Sequence, residues 1–283
     1  MNKPDYYHKS HSDGKRDVGE LFQEFSTKFQ WRTVGGDIFC DVGIGPGDFF
    51  ISHIYPLVKE KCSKIVLCDI SKEMLEYCRK HFHVSDKLDY KLFDIAEKSG
   101  PPKELEGQFD HVTSMLVLHW VSDYRQSLKN FYQLLRPEGG DCILSFFFDN
   151  HVFHTCNHLG SSPKWFQYTQ GKGQFHLEFL NSKDPIADFC NMMTAEGFQN
   201  VEVKMKPVVY NYGNKENFKE NMISVLHIFD FLTKAQQDEF FDEFVDHLAQ
   251  LAAKKLGTSS QNSKYCICID LVVAYGQKPC VIE

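Results

Sequence analysis

The stretch Asp37-Ile38-Phe39-Cys40-Asp41-Val42-Gly43-Ile44-Gly45-Pro46-Gly47-Asp48 decides the fold. An apolar run ends in an acid, glycines alternate through a turn, and an amphipathic helical pattern opens behind them. Glycine lets the backbone bend sharply and approach a ligand closely, and the helix start behind it offers free N–H groups. This combination marks the carboxyl edge of a first parallel strand, where open α/β sheets bind nucleotides.

The glycine spacing separates two ligands. Dinucleotide folds space their glycines G-x-G-x-x-G and set a pyrophosphate on the helix N-terminus. Here the spacing is G-x-G-x-G with Asp41 just upstream. That acid would repel a pyrophosphate and suits a cationic ligand such as the amino group of S-adenosylmethionine (SAM). A nucleotide-dependent dehydrogenase is disfavoured accordingly.

Two more strands repeat the theme. Lys64 to Asp69 is a buried strand ending in an acid about 20 residues past the glycines, where doubly wound folds place a carboxylate on the ribose hydroxyls. Tyr90 to Phe93 is a short third strand followed by Asp94-Ile95. Singly, each acid reads as a turn or N-cap residue. Together with the glycines, Asp41, Asp69 and Asp94 predict a nucleoside site.

The remaining pattern is β-α-β alternation, predicting a parallel sheet with right-handed crossovers. Val18, Leu21, Phe22, Phe25 and Phe29 recur at helical spacing. The helix behind the glycines should run from about Gly47 to Lys59, with Phe49, Phe50, Ile54 and Leu57 facing inward. Ser71 caps the next helix, which carries Met74, Leu75, Cys78 and Phe82 on one face. Strand four is predicted over Phe109 to Leu118, running into His119-Trp120, with Ser122 or Asp123 capping a helix behind it. Strand five follows at Cys142 to Phe148. Residues 149–183, rich in His, Gly, Ser and aromatics, read as a lid or pocket wall. Asp184-Pro185 starts a helix ending at Gly197, and strand six covers Val201 to Met205. Two helices, 215–232 and one capped by Thr233 with Gln236, form an added cap before a last strand, Tyr265 to Tyr275. One domain over 1–283 is expected, with a SAM-binding core at 37–148, an N-terminal substrate or lid segment at 1–30 and the cap at 215–257. The Met and Phe stripes of the cap and insertion read mostly as core packing, though they could also wall an apolar pocket.

Composition bounds the partners. With 283 residues, 42% hydrophobic and 24% charged, the chain can bury a full core. The formal net charge of −7 and the lack of a long basic run argue against nucleic acid. No apolar segment reaches the ~18–20 residues needed to span a bilayer. Ten cysteines without regular spacing predict reduced thiols in the cytosol. His151, His154, Cys156, His158 and His176 fit no standard zinc spacing, so no metal is expected. Cys266 and Cys268 lie two apart on one strand face and read as small apolar packing.

With these residues in hand, the chain resembles the class I SAM-dependent methyltransferases, and more narrowly the arthropod juvenile hormone acid O-methyltransferases. The resemblance is carried by Tyr7, Lys9-Ser10, Lys15-Arg16-Asp17, the Asp41 glycine loop, Cys68-Asp69-Ile70-Ser71, Phe109-Asp110-His111-Val112 and Leu118-His119-Trp120. It implies a Rossmann-like, mostly parallel seven-stranded sheet whose last strand runs antiparallel, with the helical cap added. It also implies methyl transfer from SAM to the carboxylate of a farnesoid acid. On that basis Asp41, Gly43, Gly45 and Gly47 would hold the methionine moiety, Asp69 the ribose hydroxyls, Ile70 the adenine, and Asp94 with Ile95 the adenine amine. Tyr7, Trp120 and Trp165 would face the acceptor, Trp120 donating its indole N–H to the acid. His119 keeps two roles: a base if the acceptor is a hydroxyl or amine, or a support beneath Trp120. The chain departs from the family at Gly14, where Gln is common, and at Ile44 and Pro46, where Cys and Asp are usual. Without a donor at position 14, a SAM or hydrophobic-ligand binder that no longer turns over acids is the rival outside the enzymes. A homodimer is compatible with all of this.

Overall fold

The structure is a computed structural model that describes residues 12–170, 175, 176, 178, 179 and 181–280. Seven strands form one sheet: β1 (Asp37–Val42), β2 (Cys62–Asp69), β3 (Leu88–Leu92), β4 (His111–Met115), β5 (Gly140–Asn150), β6 (Gln199–Asn211) and β7 (Cys266–Lys278). Their order is β3-β2-β1-β4-β5-β7-β6. The first five run parallel, and β7 lies antiparallel between β5 and β6. The chain winds outward from β1 through β2 and β3, then returns to β4 on the other side of β1. That reversal opens a crevice at the carboxyl ends of β1 and β4.

Alternation along the strands builds two cores. Phe39, Ile65, Leu67, Ile143, Leu271 and Val273 face α1 (Ser12–Ser26), α2 (Tyr55–Val58) and α3 (Lys72–Phe82). Cys40, Val66, Val112, Leu144, Val272 and Ala274 face α4 (Tyr124–Leu134) and, beyond the insertion, the helix Pro185–Ala195. Successive side chains of a strand point to opposite sides, so each inner strand feeds both layers. The N-terminal ends of β1, β4 and β5 are tied by polar groups. Asp110 accepts from Ile38 N–H at 2.7 Å, and His111 pairs with Asp141 at 2.6 Å.

Several boundaries differ from the sequence reading, each for a local reason. A π-helical turn over Phe50–Ile54 precedes α2. Its extra residue per turn rotates the helix, so Phe50, Ile54 and Val58 face inward while Leu57 is exposed. Strand four stops at Met115 because Leu116 takes φ +61° and Leu118–Trp120 forms a 3-10 turn. Leu118 stays buried all the same, which is why its apolar run looked like strand. Asp123, rather than Ser122, caps α4 by accepting from Gln126 N–H.

Residues expected as an irregular wall contain two helices, α5 (His151–Gly160) and α6 (Pro163–Thr169), followed by α7 (Pro185–Ala195). Strand six is longer than expected, because its outer half pairs with β7 as far as Asn211. The cap comprises α8 (Lys215–Val225), a 3-10 turn (His227–Phe231) and α9 (Lys234–Leu256), which opens on the Thr233–Gln236 capping box and stops at Gly257. α9 packs on α5 and β7, where Ala252 meets Cys266 and Cys268.

Candidate active site

The glycine loop is built by the end of β2 as much as by its own residues. Gly43 and Ile44 donate their N–H groups to Cys68 O at 2.8 and 3.0 Å, and Gly45 N–H donates to Asp69 Oδ2 at 2.8 Å. Gly43 has φ +78°, and a Cβ there would sit 2.2 Å from Val117 Cγ2. The packing of the Val117 side chain against the loop, together with the positive φ, therefore favours glycine here. Gly47 meets a different neighbour, since its Cβ would lie 2.4 Å from Cys78 Sγ on α3. It seats the helix and does not line the cleft. Asp48, at the end of the loop, forms an ion pair with Lys15 of α1.

The three acids differ in depth. Asp41 is buried beneath the loop and accepts from Thr113 Oγ1. Burial pushes its carboxyl up to about 7, opposed by the Thr113 hydroxyl and reinforced by the charge of Asp69. Asp69 is also raised by burial, and the N–H groups of Ser71 and Gly45 pull it back down. Its Oδ1 takes the Ser71 N–H at 2.8 Å. Asp94 accepts from Ala96 N–H at 2.9 Å and is half-buried at the rim.

A cavity of about 510 Å³ opens here, lined by Gly43, Gly45, Asp69, Ile70, Asp94 and Ile95 among others. Asp41 lies just behind that lining. Ile70 is 65% exposed, an unusual state for an isoleucine and a suitable wall for a flat apolar ring. Acids on one side, a glycine cradle on another and apolar faces between them fit a nucleoside carrying a cationic chain.

A second cavity of about 190 Å³ adjoins the first, the two sharing Trp120, Val121, Ser122 and His227. The Trp120 Nε1–H is buried and has no hydrogen-bond partner among the described residues. His119 lines the smaller cavity, its ring stacked on Phe147 with centroids 4.3 Å apart. Burial lowers its imidazole to about 3, so it is neutral, and its Nδ1 lacks a partner among the described residues.

Other residues fall elsewhere. Trp165, expected at the acceptor, is buried between α6 and α9, where its indole N–H donates to Glu243 Oε2 at 2.6 Å. It lines neither cavity, because its aromatic face packs edge-on to Phe240 and its one polar atom is used. Tyr7 lies outside the described residues. Lys15 and His227 line the larger cavity without having been expected there. Lys15 was visible within the N-terminal motif, whereas nothing local in the sequence marks His227, which the cap delivers. Among the described residues no group of three or more His, Cys, Asp or Glu is placed to hold a metal ion. His154 pairs instead with Asp149 at 2.5 Å, and His158 stacks on His247. Among the described residues, no helix is long and apolar enough to cross a membrane.

Residues 40–140 match a family model described as a methyltransferase domain. The chain is 30% identical to the juvenile hormone acid O-methyltransferase of Drosophila melanogaster over 98% of this chain and 93% of that one. It is 29% identical to the Bombyx mori protein of the same name, over 89% of this chain and 87% of that one. Among solved structures, the YcgJ protein of Bacillus subtilis superposes with a TM-score of 0.60 at 15% identity, covering 93% of this chain and 98% of that one, which shows the shared fold. The chain is thus a SAM-dependent methyltransferase and belongs to the juvenile hormone acid O-methyltransferase family.

Proposed function

We propose that this enzyme methylates the carboxylate of a hydrophobic small-molecule acid of the juvenile hormone acid or farnesoic acid type, giving a methyl ester. The observation that carries the reading is the buried Trp120 Nε1–H at the junction of the two cavities, which has no hydrogen-bond partner among the described residues. An unsatisfied buried donor costs about 1–3 kcal/mol, and an acceptor anion placed between the cavities relieves that cost.

In this reading the larger cavity takes SAM. Gly43 and Gly45 cradle its methionine part, Asp69 accepts the ribose hydroxyls, Ile70 and Ile95 flank the adenine, and Asp94 receives its amine. Asp41 acts from beneath as a negative charge toward the cationic chain. SAM supplies an electrophilic methyl group, whose bond to sulfur breaks as a carboxylate oxygen bonds to the carbon, leaving a neutral thioether and no proton to remove. The protein's share is alignment and exclusion of water, effects that together reach about 7–11 kcal/mol in well-oriented systems.

The neutral state of His119 also favours a carboxylate acceptor. An imidazole held at about 3 is a poor base for a hydroxyl or amine, and a carboxylate needs none. The ten cysteines are all free, in keeping with a reducing compartment such as the cytosol.

Incubation with labelled SAM and matched acids, alcohols and amines tests the proposal. Label should enter acids, and Trp120→Phe should lower kcat/KM for them roughly 10–100-fold, the value of a hydrogen bond to a charged group. Label entering only alcohols or amines would overturn it.

A further inference from the structure

One wall of the smaller cavity is fixed by hydrogen bonds as well as by packing. Asn157 on α5 donates from Nδ2 to Phe175 O at 2.8 Å, and its Oδ1 accepts from Phe175 N–H at 2.7 Å. Both polar ends of one side chain are therefore committed to the backbone of a single residue. Phe153 lies four positions earlier and stacks on the Phe175 ring, with centroids 4.0 Å apart and planes 12° apart. Residues i and i+4 share a helix face, so α5 holds Phe175 by its ring and by its backbone together. Trp120 closes against the same ring at 5.4 Å.

Phe175 lines the smaller cavity, whose volume of about 190 Å³ is below the ~300 Å³ at which small-molecule pockets usually begin. A chain whose carboxylate sits at Trp120 has little room before it meets this wall. Loss of the Asn157 clamp would free the Phe175 backbone while leaving the glycine loop untouched.

We propose that Asn157 is a specificity-determining positioning residue: by holding Phe175 against Phe153, it limits the length of acyl chain buried beside Trp120. The inference rests on the acceptor reading given above and names a determinant within that site. No chemical step is assigned to Asn157.

Calorimetric binding of unbranched carboxylic acids of increasing length tests this without requiring turnover. In the wild type, affinity should rise with each methylene and level off at a break length. Asn157→Ala and Phe175→Ala should both move that break to longer acids, with about fourfold in affinity for each methylene newly buried. Asn157→Asp keeps the acceptor toward Phe175 N–H and should fall between. SAM affinity should match the wild type in all three, which a general loosening of the fold would not allow. If Asn157→Ala does not fold, Asn157→Asp decides. A break present in the wild type and unmoved in the variants overturns the role of Asn157 alone. Wild-type protein that binds no acid overturns the acceptor reading and this inference with it.

Discussion

The Thr113 hydroxyl donates to the buried Asp41 carboxylate, joining the two strands between which the crevice opens. Even with that bond, burial and the neighbouring Asp69 hold Asp41 up to about 7. Two of the three acids at the strand ends are thus raised by burial in the folded protein, a strain that a cationic ligand relieves.

The sign of the pH effect follows. The native carboxyl at about 7 binds its proton more tightly than the unfolded one near 3.8. Stability from this group is therefore fully present below about pH 4 and is lost as pH rises toward 7. Affinity for cationic SAM runs the other way, falling as Asp41 is protonated below about pH 7. Asp41→Asn should raise stability at pH 8 by up to about 4 kcal/mol, and the Tm with it, and weaken SAM binding most at that same pH. Melts and titration calorimetry at pH 6 and 8 check both. A variant less stable than wild type at pH 8 would reject the argument.

His119 should be silent in the pH–rate profile. Its imidazole titrates at about 3, so with SAM and acid both saturating, kcat should carry no ionisation from this ring between about pH 5 and 9. The pH dependence should appear in KM for SAM, through Asp41. A kcat limb that His119→Gln removes would show that the ring does move a proton.

The glycines should separate by what surrounds them. Gly43→Ala drives a methyl into Val117 at positive φ, whereas Gly45 has φ +56° and, among the described residues, nothing within 4 Å of its Cβ position. Each pays about 1 kcal/mol for left-handed backbone, and Gly43→Ala adds overpacking of roughly 1–3 kcal/mol. Thermal melts should rank Gly43→Ala clearly below Gly45→Ala, while Gly45→Ala loses SAM affinity through the cleft it lines. Equal Tm values would argue that Val117 yields without cost.

What the sequence made legible was local. Glycines that need positive φ, acids at strand ends and the Thr233–Gln236 box each declare themselves within a few residues, and together they imply the sheet, the crevice and the cap. Depth was not legible. Asp41, Asp69 and Asp94 look alike as letters, yet one lies under the loop, one holds the loop and one sits at the rim. Trp165 looked like a pocket aromatic because periodicity cannot tell a wall from a core, and its partner Glu243 lies on a distant helix. His227 reaches the junction only because the cap folds back across the sheet, a contact that no spacing encodes.

Gly14 gives the last test. It lies in the first turn of α1, next to Lys15 of the larger cavity, and among the described residues a Cβ there would meet Tyr210 Oη alone, at 4.0 Å. Gly14→Gln should therefore place its Cβ without a clash, and replacing a helical glycine is worth about 0.5–1 kcal/mol, a rise of roughly 1–3 °C in Tm for a chain of this size. If the family's glutamine grips the substrate carboxylate, kcat/KM for acids should also rise, with no change for the methyl ester as a competing ligand. A higher Tm with unchanged acid turnover would separate the two effects, leaving the helix argument standing and removing position 14 from recognition of the acid.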